Sequence, residues 1–184
     1  MRKLVLYIAM SLDGFIADKD GGVAWLAGDG SDVDNEGSYD EFYNTIDTVV
    51  MGYNTYHQII TELSPECWVY ANKMSYVITH KKLEDKENIM FTEDLEGLIT
   101  KLMARDGKDI WVCGGADVVN QLLSMNRIDR ICITVVPVIL GGGTRLFGVF
   151  KKEIPLKLIS VRDYNGMTDL VYERLTSGLS ELSR

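Results

Sequence analysis

Trp111-Val112-Cys113-Gly114-Gly115-Ala116 carries a short apolar run into two glycines and then into a helical pattern. Read as strand, tight corner and helix start, this stretch commits the chain to an α/β fold. Val49-Val50-Met51-Gly52-Tyr53-Asn54-Thr55 follows the same plan, with hydroxyl and amide side chains after its glycine. Outward from these, continuous apolar runs cover Leu4 to Ala9, Thr48 to Met51, Ser75 to Thr79, Ile110 to Cys113 and Ile131 to Val136. Such runs suit strands covered on both faces. Helical patterns fall between them. Thr92 reads as an N-cap, with Leu95, Leu98, Ile99, Leu102 and Met103 at helical spacing and Gly107 as the stop. A second helix starts at Ala116 and places Val119, Leu122, Leu123 and Met125 on one face. Shorter helices are expected over Tyr39 to Ile46 and Thr55 to Leu63. At the end, Leu156 to Arg162 and Thr168 to Arg174 flank Asn165-Gly166, a dipeptide suited to a hairpin turn. The expected architecture is a mixed, largely parallel sheet with helices on both faces and a C-terminal antiparallel hairpin. It forms one domain over 1–175, followed by a tail at 176–184.

Composition removes several function classes. The chain has 184 residues and a formal charge of -8, and no Lys or Arg occurs between Lys19 and Lys73. Binding to nucleic acid needs a basic face, so no nucleic-acid partner is expected. No apolar run approaches the ~18 residues of a membrane span. The first apolar run meets Asp13 without a cleavage site, which points to a cytoplasmic protein with no membrane partner. Cys67, Cys113 and Cys132 are widely spaced and only His57 and His80 are present, so no metal site is expected. No Gly-x-Ser-x-Gly elbow supports a serine hydrolase.

In open α/β sheets, ligands collect at the carboxyl ends of strands, where helix starts offer unpaired N–H groups. The two glycine-bearing strand ends suit a dinucleotide, one end for each part of its phosphate bridge. Neither matches Gly-x-Gly-x-x-Gly or a P-loop. Met51-Gly52-x-x-Thr55 followed by Val112-Cys113-Gly114-Gly115 resembles the cofactor signature of the dihydrofolate reductase superfamily. Ser11-Leu12-Asp13-Gly14-Phe15-Ile16-Ala17 and Pro137-Val138-Ile139-Leu140-Gly141-Gly142-Gly143-Thr144-Arg145-Leu146-Phe147 resemble the reductase domain of bacterial riboflavin biosynthesis and its stand-alone relatives. The similarity runs from about Leu4 to Arg174.

That resemblance implies a dihydrofolate reductase-like three-layer αβα fold and an NADPH-dependent reductase of a small heterocyclic substrate, most like the pyrimidine reductase of riboflavin synthesis. It places Gly52 and Thr55 at the cofactor's pyrophosphate, with Tyr53 between them. Gly114 and Gly115 lie under the nicotinamide half, joined by a peptide bond that is typically cis in the superfamily. Ala116, Asp117 and Val118 offer N–H groups to phosphate. Thr79 and His80 sit beside the adenosine ribose, and Ala9 and Ile16 flank the nicotinamide. Asp13, taken as the catalytic candidate, faces the substrate with Trp25, Thr134 and Leu146. Read from the residues alone, Asp13-Gly14 also suits a turn, Trp25 a core position, Thr134 a plain strand position and His80 an exposed loop.

Two departures from the superfamily stand out. Dihydrofolate reductases usually carry Arg after the Met-Gly pair to hold the 2′-phosphate, where this chain has Tyr53. Lys73, Lys81, Lys82 and Arg145 are the basic residues available to compensate. Dihydrofolate reductases also place a buried acid on the first helix, four residues before an aromatic. If Phe42 is that aromatic, the acid position holds Ser38, with Asp40 or Glu36 as shifted substitutes. A dihydrofolate or pteridine reductase and a non-catalytic NADP-binding module therefore stay open as alternatives. The riboflavin-type relatives imply a homodimer built through the sheet and its C-terminal strands.

Overall fold

The sheet grows outward from its most apolar strands. In the computed structural model, which describes residues 2–35 and 37–175, the expected runs become β1 Leu4–Ser11, β3 Ile46–Gly52, β4 Met74–Ile78, β6 Asp109–Gly114 and β7 Arg130–Val136. The hairpin supplies β9 Leu156–Tyr164 and β10 Met167–Arg174, and short strands β2 Phe15–Ala17, β5 Ile89–Thr92 and β8 Thr144–Arg145 complete the set. The helices are α1 Tyr39–Tyr43, α2 Tyr53–Gln58 with a π-helical turn Ile59–Leu63 after it, α3 Leu95–Met103 and α4 Ala116–Ser124. Glu36 and the tail expected at 176–184 lie outside the described residues.

Eight strands form one sheet in the order β5-β4-β3-β6-β1-β7-β10-β9, while β2 and β8 pair separately. The first six run parallel, and β10 and β9 turn antiparallel. Asn165 (φ 47°) and Gly166 (φ 71°) make the hairpin turn as their sequence implies. The carboxyl ends of the six parallel strands therefore share one edge of the sheet, the edge where ligands collect in open α/β sheets.

Each face of the sheet buries its own core. On one side, α3 and α4 press Ile99, Leu102, Val119 and Leu122 onto Leu4, Leu6, Ile110 and Val112. On the other, α1, α2 and the π-helical turn cover Val49, Met51, Val77 and Trp111 with Phe42, Tyr43, Tyr56 and Ile59. Burial of each such side chain stabilises the fold by about 1.5–3 kcal/mol. Facing residues alternate along the strands, so Tyr7 packs with the α1–α2 layer while Leu6 and Ile8 pack with the α3–α4 layer.

Local details correct the sequence reading. Thr92 does not cap α3: it ends β5, paired with Ile78, and its carbonyl accepts from Thr79 N. Asp94 is the cap, its Oδ1 accepting from Gly97 N at 2.8 Å. A ladder position fixed the Thr92 backbone, so the helix starts later. α1 stops at Tyr43 instead of reaching Ile46, because Ile46 is buried as the first residue of β3. No helix of the described residues is long and apolar enough to cross a membrane.

Candidate functional site

The two glycine-bearing strand ends meet. β3 and β6 are parallel neighbours with Met51 opposite Gly114, so Gly52 and Gly115 leave the sheet side by side. A methyl group placed on Gly115 would stand 3.6 Å from Gly52 Cα and 3.7 Å from Thr55 Oγ1, and one on Gly114 would stand 3.6 Å from Thr55 Oγ1. Side chains there would fill the corner. The Gly114–Gly115 bond is not cis, since no described peptide bond is. The chain turns instead through positive φ at both residues, 153° and 74°, a region that favours glycine.

Gly52 caps α2 and Gly115 caps α4, and neither helix start receives a side-chain cap. The first-turn N–H groups of α4, at Ala116, Asp117 and Val118, thus keep the anion-attracting character of a helix N-terminus. Val118 is itself buried and packs toward Gly52, whereas the Asp117 side chain is exposed. The corner can therefore hold a phosphate-bearing ligand with backbone groups and the Thr55 hydroxyl.

β4 flanks β3, with Ile78 beside Gly52, and delivers Thr79, His80 and Lys81 to the same edge. Thr79 Oγ1 accepts from Lys81 N at 3.1 Å. His80 is exposed and pairs with Glu93 at 3.3 Å. Lys81 Nζ stands 3.8 Å from the centre of the Tyr53 ring, a cation–π contact that holds a positive charge beside the α2 start. Of the other basic candidates, Lys82 is exposed beside Lys81, and two are engaged elsewhere. Lys73 Nζ donates to the Ile46 carbonyl at 2.8 Å, at the start of β3, and Arg145 lies over Phe15.

The residues expected around the nicotinamide and on the substrate side separate into two faces. Ala9 and Thr134 are register partners on β1 and β7 and share the α1 face. Leu146 is fully buried and Ile16 half-buried, both in the α3–α4 core, so the sheet lies between them and Thr134. Trp25 is half-buried, its Nε1 donating to the Gly22 carbonyl at 3.1 Å. Asp13 pins two loops together. Its Oδ1 accepts from Ser11 Oγ at 2.7 Å and Leu140 N at 3.1 Å, and its Oδ2 from Gly141 N at 2.8 Å. The Ser11 hydroxyl, helped by those N–H groups, lowers its pKa to about 2. Asp13 is thus ionised at neutral pH, an acceptor and not a proton source.

A carboxylate that the sequence reading did not single out lies beside Thr134. Asp169 is opposite Thr134 on β10 and is buried. Its Oδ1 accepts from Thr134 Oγ1 at 2.6 Å and Tyr164 OH at 3.3 Å, and its Oδ2 accepts from Ser38 Oγ at 2.5 Å. Ser38 Oγ lies 3.1 Å from Tyr7 OH, and since the Ser38 proton goes to Asp169, Tyr7 is the donor. Burial, with the charge of Asp169 adding to it, pushes the Tyr7 hydroxyl up to about 12. A cavity of about 300 Å³ opens here between α1 and the last strands, lined by Tyr7, Ser38, Phe42, Thr134, Asp169 and Val171 among others. Tyr7 and Phe42 stack at 4.2 Å on its wall. One signal for Asp169 was present: Leu170 and Tyr172 alternate toward one face, which turns Asp169 and Val171 to the other.

Comparison with known proteins places this architecture. The RibD C-terminal domain family matches residues 2–169. The Bacillus subtilis protein YwjB is 36% identical over 177 residues, 94% of this chain and 98% of its own length. A proposed riboflavin biosynthesis protein from Shewanella sp. PV-4 superposes with a TM-score of 0.82 at 27% identity, covering 95% of this chain and 99% of that one. Dihydrofolate reductase from Enterococcus faecalis shares the fold at a TM-score of 0.67 and 17% identity, covering 94% and 96% of the two chains.

Proposed function

Because the chain belongs to the RibD C-terminal domain family, a reductase-like family, we propose that it is an NADPH-dependent reductase of a small nitrogen heterocycle, most like the pyrimidine reductase of riboflavin synthesis. The observation that carries this reading is the meeting of two glycine-capped helix starts at Gly52 and Gly115. The corner suits a dinucleotide, because Gly52, Gly114 and Gly115 put no side chain between the Thr55 hydroxyl and the start of α4. NADPH, when bound, supplies a hydride to the substrate.

The protein's part is binding and orientation. The α4 N–H groups and the Thr55 hydroxyl take the phosphates. Lys81, held over Tyr53, supplies the positive charge for a 2′-phosphate where the superfamily has Arg. Ala9 and Thr134 bring the substrate face next to the corner, and Asp13 fastens the loop at Leu140 and Gly141 above it. The reading includes a homodimer. β9 is an edge strand that exposes Leu156, Leu158, Ile159 and Val161, an apolar edge that a second copy would cover. Sedimentation at twice the chain mass of 20.7 kDa is expected.

The test is titration with NADPH and with NADH, followed through Trp25 and Trp111, and then NADPH oxidation with 5-amino-6-(5-phosphoribosylamino)uracil and with dihydrofolate. Tight NADPH binding, weaker NADH binding and oxidation with the pyrimidine support the reading. Binding without oxidation by either compound would favour a non-catalytic module, and the absence of binding sinks the assignment.

A further inference from the structure

The cavity beside α1 contains a group that cofactor binding does not use, a buried carboxylate whose partners are all hydroxyls. Asp169 is 5% exposed, and no cation pairs with it among the described residues. The two nearby arginines are committed, Arg130 to Glu173 and Arg162 to Glu41. In place of a cation, three hydroxyl donors hold this carboxylate. A carboxylate offers about four acceptor positions, and Thr134, Tyr164 and Ser38 take three. The remaining position is on Oδ2, beside Ser38 Oγ. That oxygen donates to Asp169 and accepts from Tyr7, which leaves it one lone pair. Two free acceptor positions thus lie on oxygens 2.5 Å apart, in a cavity with an aromatic wall.

We propose that Asp169 and Ser38 form the acceptor end of the substrate site and bind a flat nitrogen heterocycle through N–H groups on neighbouring atoms. Spacing supports the ligand class, because an exocyclic amine next to a ring N–H presents two donors about as far apart as these two oxygens. Electrostatics support it as well. Burial first, and then the Asp169 charge, hold the Tyr7 hydroxyl above its ordinary value, so a ligand N–H facing these oxygens meets a negative neighbour. Position connects it to the reaction: Asp169 is level with Thr134, and Thr134 with Ala9 at the substrate edge. The acid comes from the last strand, whereas sequence reasoning sought it on the first helix, where Ser38 stands. The inference rests on the reductase reading and names the chemistry of the substrate end of that site.

The test compares 2,4-diaminopyrimidine, whose N1-protonated form sets an exocyclic amine next to a ring N–H, with 2,4-dimethoxypyrimidine, which keeps the ring and loses the donors, by calorimetry on the full chain with NADPH present. Wild type is expected to prefer the diamine by about ten-fold or more. Asp169→Asn should remove most of that preference and Ser38→Ala part of it. A merely structural role would weaken both ligands together. Thermal unfolding checks each variant, and Ser38→Ala and Thr134→Val carry the test if Asp169→Asn does not fold. Equal binding of the two pyrimidines by wild type, no binding of either, or an unchanged preference in the variants overturns the proposal. NADPH affinity is measured on the same samples. Its absence in wild type defeats the reductase reading, whereas intact NADPH binding with no diamine preference defeats only this inference.

Discussion

The glycine corner at the ends of β3 and β6 and the hydroxyl–carboxylate pocket beside α1 are built from different materials. The corner is almost entirely backbone: Gly52, Gly114 and Gly115 serve by having no side chain, and α4 contributes N–H groups. The pocket is all side chain. Tyr7, Ser38, Thr134 and Asp169 come from four separated segments and touch only after the sheet has assembled. A backbone site tolerates changes in its neighbours but no added bulk. A side-chain network tolerates bulk nearby but not the loss of one member, because each missing partner leaves a buried polar group unpaired.

That contrast can be broken experimentally, and the corner should give the largest effect. Gly115→Val puts a β-branched residue at φ 74° and a Cβ 3.6 Å from Gly52. We expect NADPH affinity to fall by about a hundred-fold, more than loss of a single hydrogen bond explains. Survival of binding within a few-fold would mean that the corner is only a turn.

In the pocket, Thr134→Val removes one donor to Asp169 without adding bulk. Urea unfolding should show a loss of about 1–3 kcal/mol, with NADPH affinity unchanged. A parallel loss of cofactor affinity would show that the two regions are coupled. Lys81→Ala should leave NADH binding alone and reduce the preference for NADPH by about two- to five-fold, the range of an exposed charge contact.

The smallest effect concerns pH. Glu173, on the same β7–β10 pair as Thr134 and Asp169, is lowered from 4.5 to about 2 by hydrogen bonds from Lys3 and Arg130. Its folded value lies below its unfolded one, so its stabilisation is present above about pH 4.5 and is lost as pH falls toward 2. Acid should therefore loosen the pocket's strands, and Glu173→Gln should flatten the acid limb of a stability–pH curve. An unchanged acid limb would show that this contact carries no linkage.

The legible parts of the molecule share a property: each is decided within a few residues. Apolar runs located the five central strands, Asn165-Gly166 located the hairpin, and glycines at two strand ends located the corner. β5 was missed because a four-residue strand after a charged loop carries too little pattern. β2 and β8, at three and two residues, carry even less. Tyr53 in place of Arg was visible, but the stacking of Lys81 on its ring was not, since that contact spans α2 and the loop after β4.

The sequence by itself determined the α/β layering, the antiparallel ending and the glycine corners at two strand ends, because period, turn chemistry and missing side chains are local properties. Only the tertiary structure decided that Leu146 belongs to the core and that Asp13 pins a loop. It alone carried Asp169 to Ser38 across 131 positions of chain. Such placements depend on strand order and register. Those follow from how all the apolar faces are buried together, which no single segment encodes.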